Sequence, residues 1–111
     1  MLVTVVELPE FQRRAKAVMS EAEKTALITF VAENPDAGVS LGGGLRKFRF
    51  ARDGGGKSGG YRVVHVWHPG DGPVFLLTVF AKNEKANLTR AETATLVKLG
   101  EALATEYGKR R

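Results

Sequence analysis

Apolar side chains recur along this chain with two spacings, and each spacing predicts one type of element. Four short segments are rich in β-branched and aromatic residues, and we predict strands at residues 2–8, 45–50, 61–68 and 74–81. In the second segment apolar and basic side chains alternate, which places Phe48 and Phe50 on one face of a sheet. Lys47 and Arg49 then project from the other face.

Helix-start signals separate these strands. Pro9 opens a first helix, because a proline's missing N–H costs nothing in the first turn. Ser20 and Glu23 match the capping-box pattern and begin a second helix, which ends before Pro35. The same pattern at Thr89 begins the last helix. The apolar stripe expected for this last helix includes Leu96, Val97, Leu99 and Leu103.

The predicted elements follow one another in the order β-α-α-β-β-β-α, with a turn-rich connection at residues 36–44. The last three strands are consecutive and form a meander. This grouping predicts a single α+β domain over residues 1–111, with helices packed on one face of a small, largely antiparallel sheet. The other face then stays polar or binds a partner.

Composition narrows the class of protein. The chain has no cysteine, which excludes disulfides, thiolate zinc sites and cysteine nucleophiles. Its apolar runs have the length of strands and fall short of the roughly 20 residues that a membrane helix requires. The first residues lack the basic region and the cleavage site of a signal peptide. We therefore expect a soluble, cytoplasmic protein without a membrane partner.

Positive charge is concentrated in one stretch. Between residues 46 and 62 six basic side chains stand against one acid, Asp53, and this excess equals the net charge of the whole chain, +5. The six are Arg46, Lys47, Arg49, Arg52, Lys57 and Arg62. Lysine and arginine that neutralise phosphates release condensed counterions, so such a field favours a polyanion. We expect RNA, DNA or the ribosome surface as the partner.

Three common catalytic arrangements do not fit this stretch. The Gly-Lys-Ser sequence at residues 56–58 lacks the first glycine of a P-loop and leads into a strand instead of a helix. His65 and His68 are an odd number of residues apart, so on a strand they face opposite sides. Carboxylates are scattered, whereas a two-metal nuclease requires them clustered. We therefore predict neither a metal nor a cofactor.

A metal-free site made of cations is the remaining catalytic hypothesis. RNA is cleaved when its own 2′-hydroxyl attacks the adjacent phosphate, which requires proton removal, charge stabilisation and protonation of the leaving group. Arginine supplies bidentate charge stabilisation, and a lysine whose pKa is lowered by neighbouring cations can transfer protons. The residues by themselves leave open the alternative that all six cations form a solvated docking surface.

Four segments carry a family resemblance, namely ELPEF at residues 7–11, GLRK at 44–47, GKSGGYRV at 56–63 and LLTVFAKNEK at 76–85. Together they resemble the RelE/HigB-type toxins of bacterial type II toxin–antitoxin systems, over essentially the full chain. The resemblance implies a microbial-ribonuclease-like fold and a ribosome-dependent endoribonuclease that cuts mRNA in the A site and so inhibits translation. It also implies a cognate helix-turn-helix antitoxin that neutralises the toxin.

The resemblance further implies roles for individual residues. Arg62 takes the position of the family's transition-state arginine, Lys82 takes a second cationic position, and Lys57 transfers protons or clamps the phosphate. RNA binding is expected of Arg46, Lys47, Arg49, Arg52 and Lys85. If Arg62 pairs with Phe80, then Arg62 and Lys82 share a face of the sheet. The alternative is a non-catalytic RNA- or ribosome-binding module, or a decayed toxin that still binds its antitoxin.

Overall fold

The computed structural model describes residues 2–51, 60–70, 72–81 and 87–109, with side chains to residue 106 in the last segment. No helix in these ranges is long and apolar enough to cross a membrane. The elements in chain order are β1 (Val5–Glu7), α1 (Pro9–Val18), α2 (Glu21–Glu33), β2 (Val39–Gly42), β3 (Leu45–Phe50), β4 (Tyr61–Val66), β5 (Val74–Ala81) and α3 (Arg90–Lys109).

All three helices begin where the helix-start signals predict. The Ser20 hydroxyl accepts from the Glu23 N–H at 3.1 Å, and the Glu23 carboxylate accepts from the Ser20 N–H at 2.8 Å. Thr89 and Glu92 exchange the same two bonds before α3, at 3.0 and 2.9 Å. Pro9 is the first residue of α1. Each helix start is thus determined by residues within its own first turn.

The five strands form one sheet in the order β1-β5-β4-β3-β2. Neighbouring strands from β2 to β5 are antiparallel, and β1 pairs parallel to β5. The α+β class, the largely antiparallel sheet and the meander of β3, β4 and β5 are confirmed. On β4, Arg62 lies opposite Phe80 of β5 and opposite Arg49 of β3, so the register assumed for Arg62 is also confirmed.

Strand β2 corrects the predicted order of elements. It lies within the segment expected to be a turn-rich connection, and Val39 pairs with Lys47 of β3. The observed order is β-α-α-β-β-β-β-α. β2 is mostly exposed and contains serine and glycine, so neither β-propensity nor burial indicates a strand. Its pairing with β3 across a turn at Gly43 and Gly44, both with positive φ, makes it one.

The sheet carries a hydrophobic cluster on each face. Phe11 of α1 and Leu27 of α2 pack with Val63 on one face. Val64 belongs to the cluster on the other face, where the helix side chains come from α3: Leu96, Val97 and Leu103. The prediction that the helices pack on one face is therefore wrong for α3. Because β4 and β5 are apolar on both faces, both faces require a cover to exclude water.

The buried side of α3 also differs from the predicted stripe. Leu99 is 40% exposed, whereas the next residue, Gly100, is buried. A Cβ atom at Gly100 would lie 2.4 Å from Cγ2 of Val66 in β4. Glycine at this position therefore allows the backbone of α3 to approach the sheet closely, which a hydrophobicity pattern does not reveal.

Candidate nucleic-acid interface

A groove lined by cations lies on the same face of the sheet as α3. Strand alternation places Lys47 and Arg49 of β3 and Arg62 of β4 on this face. The groove has a volume of about 420 Å³. Its lining residues are Gly38, Val39, Lys47, Phe48, Arg49, Arg62 and Asn87, and we name this site the cation groove.

Arg49 and Arg62 form the electrostatic centre of the cation groove. They are directly opposite each other on β3 and β4, where Cβ atoms are about 4.5–5.5 Å apart and like charges destabilise a sheet. Burial and, secondarily, the charge of Arg49 lower the pKa of Arg62, although a guanidinium stays protonated at neutral pH. Among the residues that the structure describes, neither guanidinium is paired with a carboxylate. A bound anion would offset this repulsion.

Lys47 is held beside this pair by the segment that precedes α3. Its Nζ donates to Asn87 Oδ1 at 2.7 Å, and the same oxygen accepts from the Leu88 N–H at 2.9 Å. On its other side Lys47 pairs with Val39 of β2, which is 58% exposed. The groove therefore offers charge to a phosphate, and an amide and an apolar side chain to other parts of a nucleotide.

Arg46 lies on the opposite face of β3 and is not brought into the groove. Its Nε donates to the carbonyl of Ala37 at 3.2 Å and its Nη2 to that of Gly38 at 2.9 Å. Gly38 has a φ of +86°, and a Cβ there would lie 1.9 Å from the Lys47 carbonyl oxygen. The segment before β2 thus lies tightly against β3. Arg46 holds this segment, whose Gly38 lines the groove.

His65 holds the same segment from β4, directly opposite Arg46. The residue is fully buried, and its Nε2 lies 2.8 Å from the carbonyl oxygen of Pro35. Burial lowers the pKa of His65 to about 4, so the imidazole is neutral at pH 7. A carbonyl oxygen can only accept, so we assign the ring proton to Nε2. This histidine is a support of the fold and lies outside the groove.

His68 does not line the cation groove either. His68 lies after the end of β4 beside Gly44, where a Cβ atom would lie 2.6 Å from the imidazole Nε2. Across residues 2–51, 60–70, 72–81 and 87–109, no three histidine, aspartate or glutamate side chains come together as a possible metal site.

The residues expected from the sequence divide into three groups. Lys47, Arg49 and Arg62 meet in the cation groove, whereas Arg46 supports its wall from the other face. The remaining expected residues lie outside the described residues: Lys57 and Lys82, expected to be catalytic, and Arg52 and Lys85, expected to bind RNA. The described part of the expected site is therefore a cluster of three cations.

Two residues of the groove have little signal in the sequence. Val39 belongs to β2, and its spacing of two from Leu41 is the only indication of a strand there. Asn87 comes shortly before the capping box at Thr89, where an asparagine is typical of any turn. Strand pairing and the contact of Asn87 with Lys47 bring both residues to the cations.

Comparisons with known proteins agree with this architecture. The family model for the RelE toxin of the RelE/RelB toxin–antitoxin system matches residues 5–109. Among solved structures, the chain is similar to that of the E. coli toxin RelE, determined in the free state as a double arginine-to-alanine mutant. The TM-score is 0.59 at 17% sequence identity, and the match covers 86% of this chain and 98% of that one. At this identity the structural likeness concerns the fold.

Proposed function

Because this chain belongs to the RelE family of toxins of toxin–antitoxin systems, we propose that it is a cytoplasmic, ribosome-dependent mRNA endoribonuclease that inhibits translation. The observation that carries the proposal is the Arg49–Arg62 pair, two directly opposed cations in an open groove. Such a pair destabilises a sheet unless an anion lies between its members. A phosphodiester of RNA is an anion that suits the geometry of guanidinium groups.

The proposed reaction is attack of a 2′-hydroxyl on the adjacent phosphate. The bond from the 2′-oxygen to phosphorus forms and the bond to the 5′-oxygen breaks, which leaves a cyclic phosphate and a 5′-hydroxyl. Arg62 stabilises the charge that develops on the phosphoryl oxygens, because it stays charged and can donate two parallel bonds. We assign proton transfer to Lys57 and the second cationic position to Lys82. The proton that the 2′-hydroxyl loses is matched by the proton that the leaving 5′-oxygen takes up, and Lys57 acts as a base only in its neutral form.

The proposed partners are mRNA, the ribosomal A site and a cognate helix-turn-helix antitoxin. Support for the antitoxin comes from the family, whose members are toxins of a toxin–antitoxin system. Lys47 and Arg49 add positive charge around Arg62, which suits docking on mRNA and ribosomal RNA. Co-expression with the antitoxin encoded next to this gene is expected to relieve growth inhibition.

The deciding experiment is primer extension on a defined mRNA in a reconstituted translation system. Wild type is expected to cut at positions in phase with the ribosome. Arg62→Lys keeps the charge but removes the guanidinium fork, so we expect cleavage to fall roughly 100-fold while ribosome binding stays nearly unchanged. Lys82→Ala is expected to reduce cleavage as well. The matched control is Arg13→Lys, because Arg13 is an exposed arginine of α1 that pairs with Glu10. This variant should cut normally.

Two results would contradict this proposal. If wild type binds ribosomes and leaves the mRNA intact, the protein is a docking module or a decayed toxin. If Arg62→Lys loses binding and cleavage in proportion, Arg62 contributes to docking and has no separate role in the transition state.

A further inference from the structure

The orientation of the Asn87 amide is determined by its neighbours. Two groups lie at hydrogen-bond distance from one end of this amide, Lys47 Nζ and the backbone N–H of Leu88, and both are donors only. That end must therefore be the oxygen, since an NH₂ group there would face two donors. The opposite end is the NH₂ group, and the amide cannot be flipped without the loss of both bonds.

The NH₂ group of Asn87 is available to a ligand. Within the described residues, Nδ2 of Asn87 donates to no protein group. Asn87 is exposed and lines the cation groove together with Arg49, Arg62 and Val39. The groove thus contains one oriented, neutral donor beside its cations. A neutral amide adds little to phosphate binding where guanidiniums are present, but amides do discriminate between base edges.

We propose that Asn87 is a specificity-determining residue, which donates from Nδ2 to a nucleobase next to the cleaved phosphate. This inference rests on the proposed function. Because Oδ1 is occupied by Lys47 and Leu88, Asn87 cannot form the two-bond contact to adenine that needs both a donor and an acceptor. At position 6 of a purine and position 4 of a pyrimidine, guanine and uracil present a carbonyl oxygen, whereas adenine and cytosine present an amino group, so a donor directed at that position favours guanine and uracil.

The test compares cut sites across a set of mRNAs that differ by one base in the A-site codon, under single-turnover conditions. Wild type is expected to cut beside guanine or uracil roughly tenfold faster than beside adenine or cytosine at one codon position. Asn87→Ala removes the donor and should reduce this ratio to about twofold. Asn87→Asp keeps the oxygen that Lys47 and Leu88 contact but replaces the donor by an acceptor, so the ratio should invert.

The inversion separates recognition from a general change of charge, because a new negative charge near Arg62 slows cutting beside all bases alike. Asn34→Ala is the matched control, since Asn34 is an exposed asparagine at the end of α2, where it bonds the Phe30 carbonyl. The Thr89–Glu92 cap maintains the start of α3 in the Asn87 variants. Circular dichroism and thermal unfolding verify this.

The possible failures are distinguishable. If wild type cuts mRNA and both Asn87 variants keep its base preference, the role of Asn87 is refuted while the endoribonuclease remains. If wild type cuts no mRNA, the proposed function fails and the role of Asn87 fails with it. A preference that falls in Asn87→Ala and inverts in Asn87→Asp, with Asn34→Ala unchanged, supports the proposal.

Discussion

At the scale of single residues, the two groove arginines lower the stability of the unliganded fold and favour the binding of an anion. Arg49 and Arg62 are cross-strand neighbours of like charge, and burial together with Arg49 lowers the pKa of Arg62. Repulsion of this kind lowers the stability of the unliganded fold, and a bound anion removes it. Sites that hold charges for a ligand commonly show this exchange of stability for function.

Arg49→Gln is therefore expected to raise the free energy of unfolding by about 0.5 kcal/mol and to weaken RNA binding several-fold. Urea unfolding and fluorescence anisotropy with a labelled RNA measure the two effects. Arg13→Gln removes the same charge from α1, outside the groove, and should leave RNA affinity nearly unchanged. A fall in stability with Arg49→Gln would show that the pair is not repulsive in the folded protein.

His65 determines a separate, pH-dependent effect. Its pKa is about 4 in the folded protein and about 6.5 in the unfolded chain. As the pH falls below about 6.5, His65 becomes protonated in the unfolded state, whereas in the folded state it becomes protonated only near pH 4. Protonation therefore favours unfolding, and the stability present at pH 7 is lost progressively over this range. The total loss is on the order of 3 kcal/mol.

His65→Gln removes this titration while its amide can still donate to the Pro35 carbonyl. Between pH 7 and about pH 4.5, we expect the variant to lose about 2 kcal/mol less unfolding free energy than wild type. Urea unfolding at several pH values measures the difference. Parallel pH profiles for the two proteins would mean that His65 keeps an ordinary pKa in the fold.

At the scale of elements, α3 illustrates how one small residue sets a packing distance. Gly100 is buried against Val66, and a Cβ there would lie 2.4 Å from Cγ2 of that valine. In an isolated helix, alanine would be more favourable than glycine by about 1 kcal/mol. The close approach to the sheet reverses this preference, because a β-branched side chain in a packed core has little freedom to move.

Gly100→Ala is accordingly expected to lower the free energy of unfolding by about 1 kcal/mol, with the clash outweighing the gain in helix propensity. The second arm of the experiment is the same substitution in a Val66→Ala background, where the clashing methyl groups are absent. There Gly100→Ala should be neutral or stabilising, and thermal unfolding of the four proteins gives the coupling. Equal effects in both backgrounds would contradict the proposed contact.

The elements differ in how well the sequence predicts them. Helix starts at Ser20 and Thr89 depend on side chains that bond backbone groups three residues away, so a local motif is sufficient. Strand β2 has no such motif, and its four residues are mostly exposed. It exists because β3 offers backbone partners, which makes it a consequence of the sheet. The position of α3 also depends on the assembled sheet, because its apolar side chains pack on the face that the predicted one-sided arrangement left open.

At the scale of the whole molecule, the two faces of the sheet have different tasks. Helices α1 and α2 pack on one face and form the larger hydrophobic cluster with it. The other face is shared between the cluster under α3 and the cation groove, and Asn87, just before α3, connects the two. Arg46 and His65 reach the groove only indirectly, through the carbonyls of residues 35–38. The site therefore depends on residues on both faces of the sheet.

Much of the cation groove was accessible from the sequence. A local excess of positive charge marked Lys47, Arg49 and Arg62, and the alternation of a strand placed the first two on one face. The same alternation places Arg46 on the other face, although charge alone does not distinguish it from its neighbours. Asn87 was not accessible, because its role depends on a contact with a residue 40 positions away.

The sequence by itself determined the helix starts, most of the strands, the α+β class, the family and the stretch that carries the charge. These features depend on residues within a few positions of one another, or on patterns that span the chain. Only the tertiary structure decided the pairing of β2, the side of the sheet that α3 covers, the supporting role of Arg46 and the position of Asn87. These depend on contacts between distant residues, which form only when the sheet assembles and α3 packs against it.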